Sequence, residues 1–109
     1  IMVRSKSERS LADFFTERGV AFRYEAKLAI NGKVYYPDFM ILCDDGRILI
    51  WEHFGLMDKE EYFISACRKL EQYRRAGYVQ HSNLICTYEE DLRSGAVLEE
   101  ILLRYELYS

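Results

Sequence analysis

Residues 36–53 constrain the chain more than any other stretch, because they set a strand register. Phe39-Met40-Ile41-Leu42-Cys43 is an apolar, extended run, Asp44-Asp45-Gly46 is a turn cluster, and Ile48-Leu49-Ile50-Trp51 is apolar again. A three-residue hairpin loop with glycine in its last, left-handed position is a common geometry. That loop pairs Cys43 with Arg47 and, counting outward along both strands, Asp38 with Glu52. The two acids then face each other on adjacent antiparallel strands, their Cβ atoms about 5 Å apart. Two ionised carboxylates in one half-buried place raise each other's pKa or recruit a cation. Carboxylate oxygens suit hard divalent ions, and Mg²⁺ typically takes one or two carboxylates plus waters and substrate phosphate. The pair therefore reads as a metal site; the competing reading leaves both acids solvated at a strand end.

The rest of the chain supplies elements around this hairpin. Ser5 to Arg18 reads as a helix, opened by an S-x-x-E capping box at Ser5 and Glu8 and ended at Gly19. Leu11, Phe14 and Phe15 form its apolar stripe, with Glu8 at the edge of that face. Residues 20–30 alternate like a strand, with Phe22, Tyr24, Leu28 and Ile30 pointing inward, and Asn31-Gly32 is a two-residue hairpin turn. Pro37, which cannot donate to a ladder, marks a strand edge or bulge just before Asp38. Gly55 lies in a loop where it can take a positive φ. Asp58 is placed to cap a second helix, in which Tyr62, Ala66, Leu70 and Tyr73 recur at helical spacing beside Lys69, and Gly77 closes it. Residues 83–88 read as a buried strand, reached by a crossover and so locally parallel. Residues 95–105 form an amphipathic C-terminal helix. The expected fold is α/β with a mixed sheet (α+β), in one domain over residues 1–109.

Composition narrows the class. Half of the residues are hydrophobic and 30% are charged, as in globular proteins that bury a core. No apolar run approaches the roughly 20 residues of a membrane span, and Arg4, Lys6, Glu8 and Arg9 come too early for a signal segment. Cys43, Cys67 and Cys86 read as buried free thiols in a reducing, cytoplasmic compartment. The chain begins Ile1-Met2, which reads as a domain excised from a longer protein. The net charge is −3, yet the first 36 residues are basic, leaving Arg4, Lys6 and Arg9 as a phosphate-facing surface. His81 lies in a polar turn and reads as surface. Tyr35, Tyr36, Trp51 and Tyr62 could stack on bases, but their strand and helix periods place them in the core.

The helix carrying Glu8, Pro37-Asp38, then Glu52 at the end of the next strand, followed by a helix and a strand, resembles the PD-(D/E)xK nuclease superfamily. Tyr36-Pro37-Asp38-Phe39 with Trp51-Glu52-His53-Phe54-Gly55-Leu56-Met57-Asp58 looks like a bacterial branch of it, often found as one domain of larger proteins. The resemblance implies a restriction-endonuclease-like αβββαβ core in three α/β/α layers. It also implies Mg²⁺ or Mn²⁺ held by Asp38, Glu52 and the His53 backbone carbonyl, with Glu8 a further ligand, direct or through water. The superfamily places lysine two residues after the second acid, where this chain has Phe54. Exonuclease-type members carry Gln-x-x-x-Tyr on the following helix. The matching segment here is Lys69-Leu70-Glu71-Gln72-Tyr73, so Lys69, sharing a helix face with Tyr73, is the candidate replacement. His53 is a second catalytic candidate, although strict alternation aims its ring away from the acids.

The implied activity is metal-dependent hydrolysis of phosphodiesters, in DNA rather than RNA. The alternative is a catalytically inactive module of the same fold that binds nucleic acid or protein within a larger chain. A structural dimerisation domain, and hence a homodimer, is a third reading. No nucleophile elbow, phosphate loop or zinc motif competes.

Overall fold

The stripe Leu11, Phe14 and Phe15 builds helix α1, Lys6–Glu17, in the computed structural model, which describes residues 5–107. Arg4 lies outside the described residues. Ser5 caps α1 by accepting the Glu8 N–H at 3.1 Å. The Glu8 carboxylate, expected to close the box on Ser5, reaches across to Tyr24 instead. Gly19 takes φ 71° and lets Val20 N–H return to the Phe15 carbonyl at 2.9 Å, ending the helix.

The stretch 20–30 is not one strand. It divides into β1 (Phe22–Tyr24) and β2 (Leu28–Ile30) because Glu25 turns the chain at φ 48° while its N–H bonds the Asp38 carbonyl. β2 pairs with β3 (Lys33–Tyr35) around Asn31-Gly32, both at positive φ, as a separate two-stranded sheet. The main sheet has the order β1-β4-β5-β6, with β4 Phe39–Leu42, β5 Ile48–Phe54 and β6 Leu84–Tyr88. Where three strands were expected before the second helix, the chain forms five.

β4 and β5 pair with the anticipated register: Phe39 opposite Trp51 and Leu42 opposite Ile48. The turn closes through Cys43 N–H to the Arg47 carbonyl at 2.9 Å, with Gly46 at φ 90°. β5 and β6 are parallel, joined by the crossover helix α2, Glu60–Arg75. Asp58 does not cap α2. Lys59 occupies that position without a side-chain cap, and Glu60 and Glu61 complement the helix dipole from the first turn. A 3₁₀ turn, Glu89–Leu92, leads to α3, Gly95–Arg104, capped by Ser94.

The sheet is covered on both faces. Phe39, Ile41, Leu49, Trp51 and Ile85 pack against α1 and, through Leu98 and Leu102, against α3. Phe15 is the hub, its ring 4.8 Å from Trp51 and 5.2 Å from Phe39 in edge-to-face contact. On the opposite face Ile50 and Leu84 meet Tyr73 of α2, with Leu28 and Tyr35 of the β2–β3 hairpin completing the cover. Burial of both faces leaves β5 almost wholly enclosed from Leu49 to Phe54. Two of those enclosed residues, Glu52 and His53, are polar, and buried polar groups need partners. The cysteines depart from expectation: Cys67 is exposed, and Cys43 and Cys86 are half-buried.

Candidate active site

Asp38 immediately precedes β4, and extending the β4–β5 register by one pair sets it opposite Glu52. Their backbones and carboxylates interlock. Glu52 Oε2 accepts the Asp38 N–H at 2.6 Å, and Asp38 Oδ2 accepts the His53 N–H at 2.9 Å. α2 brings two further groups to the same acid. The Tyr73 hydroxyl donates to Glu52 Oε2 at 3.2 Å, and the Lys69 ammonium pairs with Oε1. Oε1 is buried and, beside that ion pair, has no directed hydrogen bond. Lys69 and Tyr73, four apart on α2, thus converge on one carboxylate.

Asp38, Glu52 and Lys69 line a cleft of about 160 Å³ together with Glu8, His53, Phe54 and Tyr62. Glu8 is held at its rim by the Tyr24 hydroxyl, which donates to Oε1 at 2.6 Å. Tyr62 accepts the Gly55 N–H at 3.1 Å and so ties α2 to the end of β5. Phe54, two residues after Glu52, stands in the cleft wall with its ring 6.1 Å from Tyr88. Lys6 and Arg9 are exposed on α1.

Burial dominates the electrostatics. It pushes the Glu52 carboxyl up to about 7, helped by the charge of Asp38 and opposed by Lys69. Burial also raises Asp38, against the His53 N–H and the Lys69 charge, which favour its ionised form. Lys69 is itself desolvated, yet Glu52 and then Asp38 hold its ammonium above the ordinary lysine range. Burial raises the Tyr73 phenol, as does the nearby Glu52 charge, so its hydroxyl stays a donor. Among the described residues, no group of three or more His, Cys, Asp and Glu side chains is disposed to hold a metal ion. The donor set present is the facing pair. That pair fits Mg²⁺ or Mn²⁺ chemistry, since Mg²⁺ is commonly held by one or two carboxylates plus waters. Of the Glu52 oxygens, Oε1 faces Lys69, while Oε2 is taken up by the Asp38 N–H and the Tyr73 hydroxyl.

The His53 ring lies on the other side of β5, among groups that its spacing did not foretell. Its Nδ1 is 2.9 Å from Thr87 Oγ1 and its Nε2 3.0 Å from Glu89 Oε1. Thr87 also accepts the Trp51 indole N–H at 3.0 Å. Ser7 and His53 both favour the charged form of Glu89, holding its carboxyl below the usual range. A carboxylate there calls for a proton on His53 Nε2, which leaves Nδ1 to accept from the Thr87 hydroxyl. The hydroxyl–imidazole–carboxylate chain has the connectivity of a nucleophile with its base. Thr87 is fully buried, however, and no substrate reaches it. The sequence signal for this chain was absent, because the pairing of His53 with Thr87 depends on the parallel register of β6.

No family model matches the chain. It is similar to an uncharacterized protein of Methanocaldococcus jannaschii, 35% identical over 60 residues, which are 55% of this chain and 5% of that relative. The chain thus spans only a small fraction of that relative's length.

Proposed function

We propose that the chain carries a metal-dependent nuclease domain with a restriction-endonuclease-like core, hydrolysing phosphodiester bonds in DNA. The observation that carries this reading is the arrangement at Glu52: a facing acid, Asp38, and a lysine, Lys69, delivered by the next helix to the same carboxylate. Asp38 and Glu52 would hold Mg²⁺ or Mn²⁺. Such an ion supplies Lewis acidity toward a phosphoryl oxygen and lowers the pKa of a bound water. The protein's own groups then have defined tasks. The His53 N–H and the Asp38 N–H lock the two carboxylates face to face, and the Tyr73 hydroxyl orients Glu52. Lys69, charged at neutral pH, faces the cleft and can stabilise charge developing on a phosphoryl group. Lys6 and Arg9, exposed on α1, offer a basic surface to the nucleic-acid backbone. A cytoplasmic setting, other domains of a parent protein and a homodimer accord with this reading.

A second reading is an inactive module of the same fold that binds nucleic acid or protein. Phe54 in the lysine position and the lack of a three-residue ligand cluster among the described residues favour it. Calorimetry with Mn²⁺ on wild type, Asp38→Ala and Glu52→Ala decides whether the pair holds a metal. Binding lost in both variants supports the site; binding that survives both ends it. Cleavage of labelled single- and double-stranded DNA by wild type and Lys69→Ala then separates the two readings. Turnover that depends on Lys69 supports the nuclease, and metal binding without cleavage supports the inactive module.

A further inference from the structure

Ser7, His53 and Glu89 come from three different elements and meet at one oxygen atom. Glu89 Oε1 accepts the Ser7 hydroxyl at 2.6 Å and lies 3.0 Å from His53 Nε2. A Cβ built on Gly55 would come within 2.8 Å of the same oxygen. Gly55 is not among the positive-φ glycines, so space for this carboxylate, rather than backbone freedom, is what its missing side chain provides. Ser7 immediately precedes Glu8 in the first turn of α1, and His53 immediately follows Glu52 in β5. Glu89 itself is not among the residues lining the cleft.

We propose that Glu89 is a positioning residue: by gripping Ser7 and His53 with one oxygen, it locks the first turn of α1 to the end of β5. This grip sets where the Glu8 carboxylate stands relative to Asp38 and Glu52. Helix ends fray, and a first turn bearing a cleft residue needs a tether outside its own backbone ladder. Tyr24 holds the Glu8 carboxylate; Glu89 holds its backbone through the neighbouring residue. Gly55 completes the device, because any side chain there would meet the Glu89 carboxylate. The inference deepens the metal-site reading and rests on it for one of its two tests.

The first test is Mn²⁺ calorimetry on Ser7→Ala, Glu89→Ala, Glu89→Gln and Gly55→Ala, each also in a Glu8→Ala background. Residues that orient a ligand commonly change metal affinity by about tenfold or more, so Ser7→Ala, Glu89→Ala and Gly55→Ala weaken Mn²⁺ on that order. Glu89→Gln, which keeps the accepting oxygen, stays within about twofold of wild type. In the Glu8→Ala background the three weakening variants lose their effect, because residues that act through one another are not additive. A full loss that persists without Glu8, or no loss in any variant, overturns the proposal. Ser7→Ala removes one hydroxyl from a half-buried position without opening a core cavity, which keeps the test independent of folding. The second test needs no metal: the Tyr24 phenol carbon resonance, which reports its bond to Glu8. Ser7→Ala and Glu89→Ala move it toward its position in Glu8→Ala; an unmoved resonance overturns the proposal. If wild type takes up no Mn²⁺, the metal reading falls, and the Tyr24 resonance alone decides the role of Glu89.

Discussion

Glu52 Oε2 accepts the backbone N–H of Asp38 at 2.6 Å, so the two acids that repel each other are also joined through the chain. The bond holds their separation while leaving the other Glu52 oxygen to face Lys69. Its cost is desolvation, and that cost has a pH signature.

The Glu52 carboxyl is raised from 4.5 to about 7 by folding, chiefly through burial. A raised carboxyl favours the folded state while it is protonated. Its contribution is fully present below pH 4.5 and lost as the pH rises through about 7. Urea denaturation of the metal-free protein should show stability falling between pH 5 and 8, by on the order of 3 kcal/mol. Asp38, also raised, adds a change of the same sign. Glu52→Gln should flatten most of this slope, and a slope unchanged in Glu52→Gln would place its origin elsewhere.

Mn²⁺ binding should tighten over the same interval, because a proton must leave Glu52 before its carboxylate can serve as ligand. Calorimetry at pH 6 and pH 8, with proton release read from buffers of different ionisation enthalpy, checks this directly. An affinity independent of pH would remove Glu52 from the ligand set.

Lys69→Met deprives a buried carboxylate of its counter-charge. The Lys69 side chain is 37% exposed, so water screens part of the pair. The expected loss is about 1–2 kcal/mol at pH 8, less than for a fully enclosed ion pair. At pH 5, with Glu52 protonated, the variant should match wild type. A loss of equal size at both pH values would show that Lys69 contributes packing and not charge.

Thr87→Val keeps the volume of a fully buried side chain but removes the hydroxyl shared by Trp51 and His53. Two buried polar groups are left without that partner, a loss of about 2–4 kcal/mol. Tyr73→Phe is milder, near 1 kcal/mol, since it removes a single 3.2 Å bond and keeps the ring contact with Tyr35 at 5.6 Å. Chemical denaturation of the two variants should rank them in that order.

The hairpin that pairs Asp38 with Glu52 was legible because turn chemistry and strand alternation are local properties. Lys69 and Tyr73 were legible for a similar reason: helical spacing puts them on one face whatever that face meets. The break at Glu25 was not, since the apolar alternation of Phe22, Tyr24, Leu28 and Ile30 runs through it and does not record a positive φ. Asp58 has the chemistry of a cap, but the chain begins its helical ladder two residues later. The Ser7–Glu89–His53–Thr87 chain joins residues up to 82 positions apart. It exists only once the crossover has chosen the register of β6, which no local pattern encodes.

Trp51 is the chain's one tryptophan and stands fully buried beside Glu52 in β5, bonded to Thr87. A one-residue slip of that strand would carry the indole to the α2 face and drive Glu52 into the ring of Phe15. The protein therefore contains its own optical gauge of the strand. An emission maximum that stays blue in a variant reports that β5 still buries its indole and so keeps its place in the sheet. A red shift reports that the strand has opened, before any ligand is added to test the site beside it.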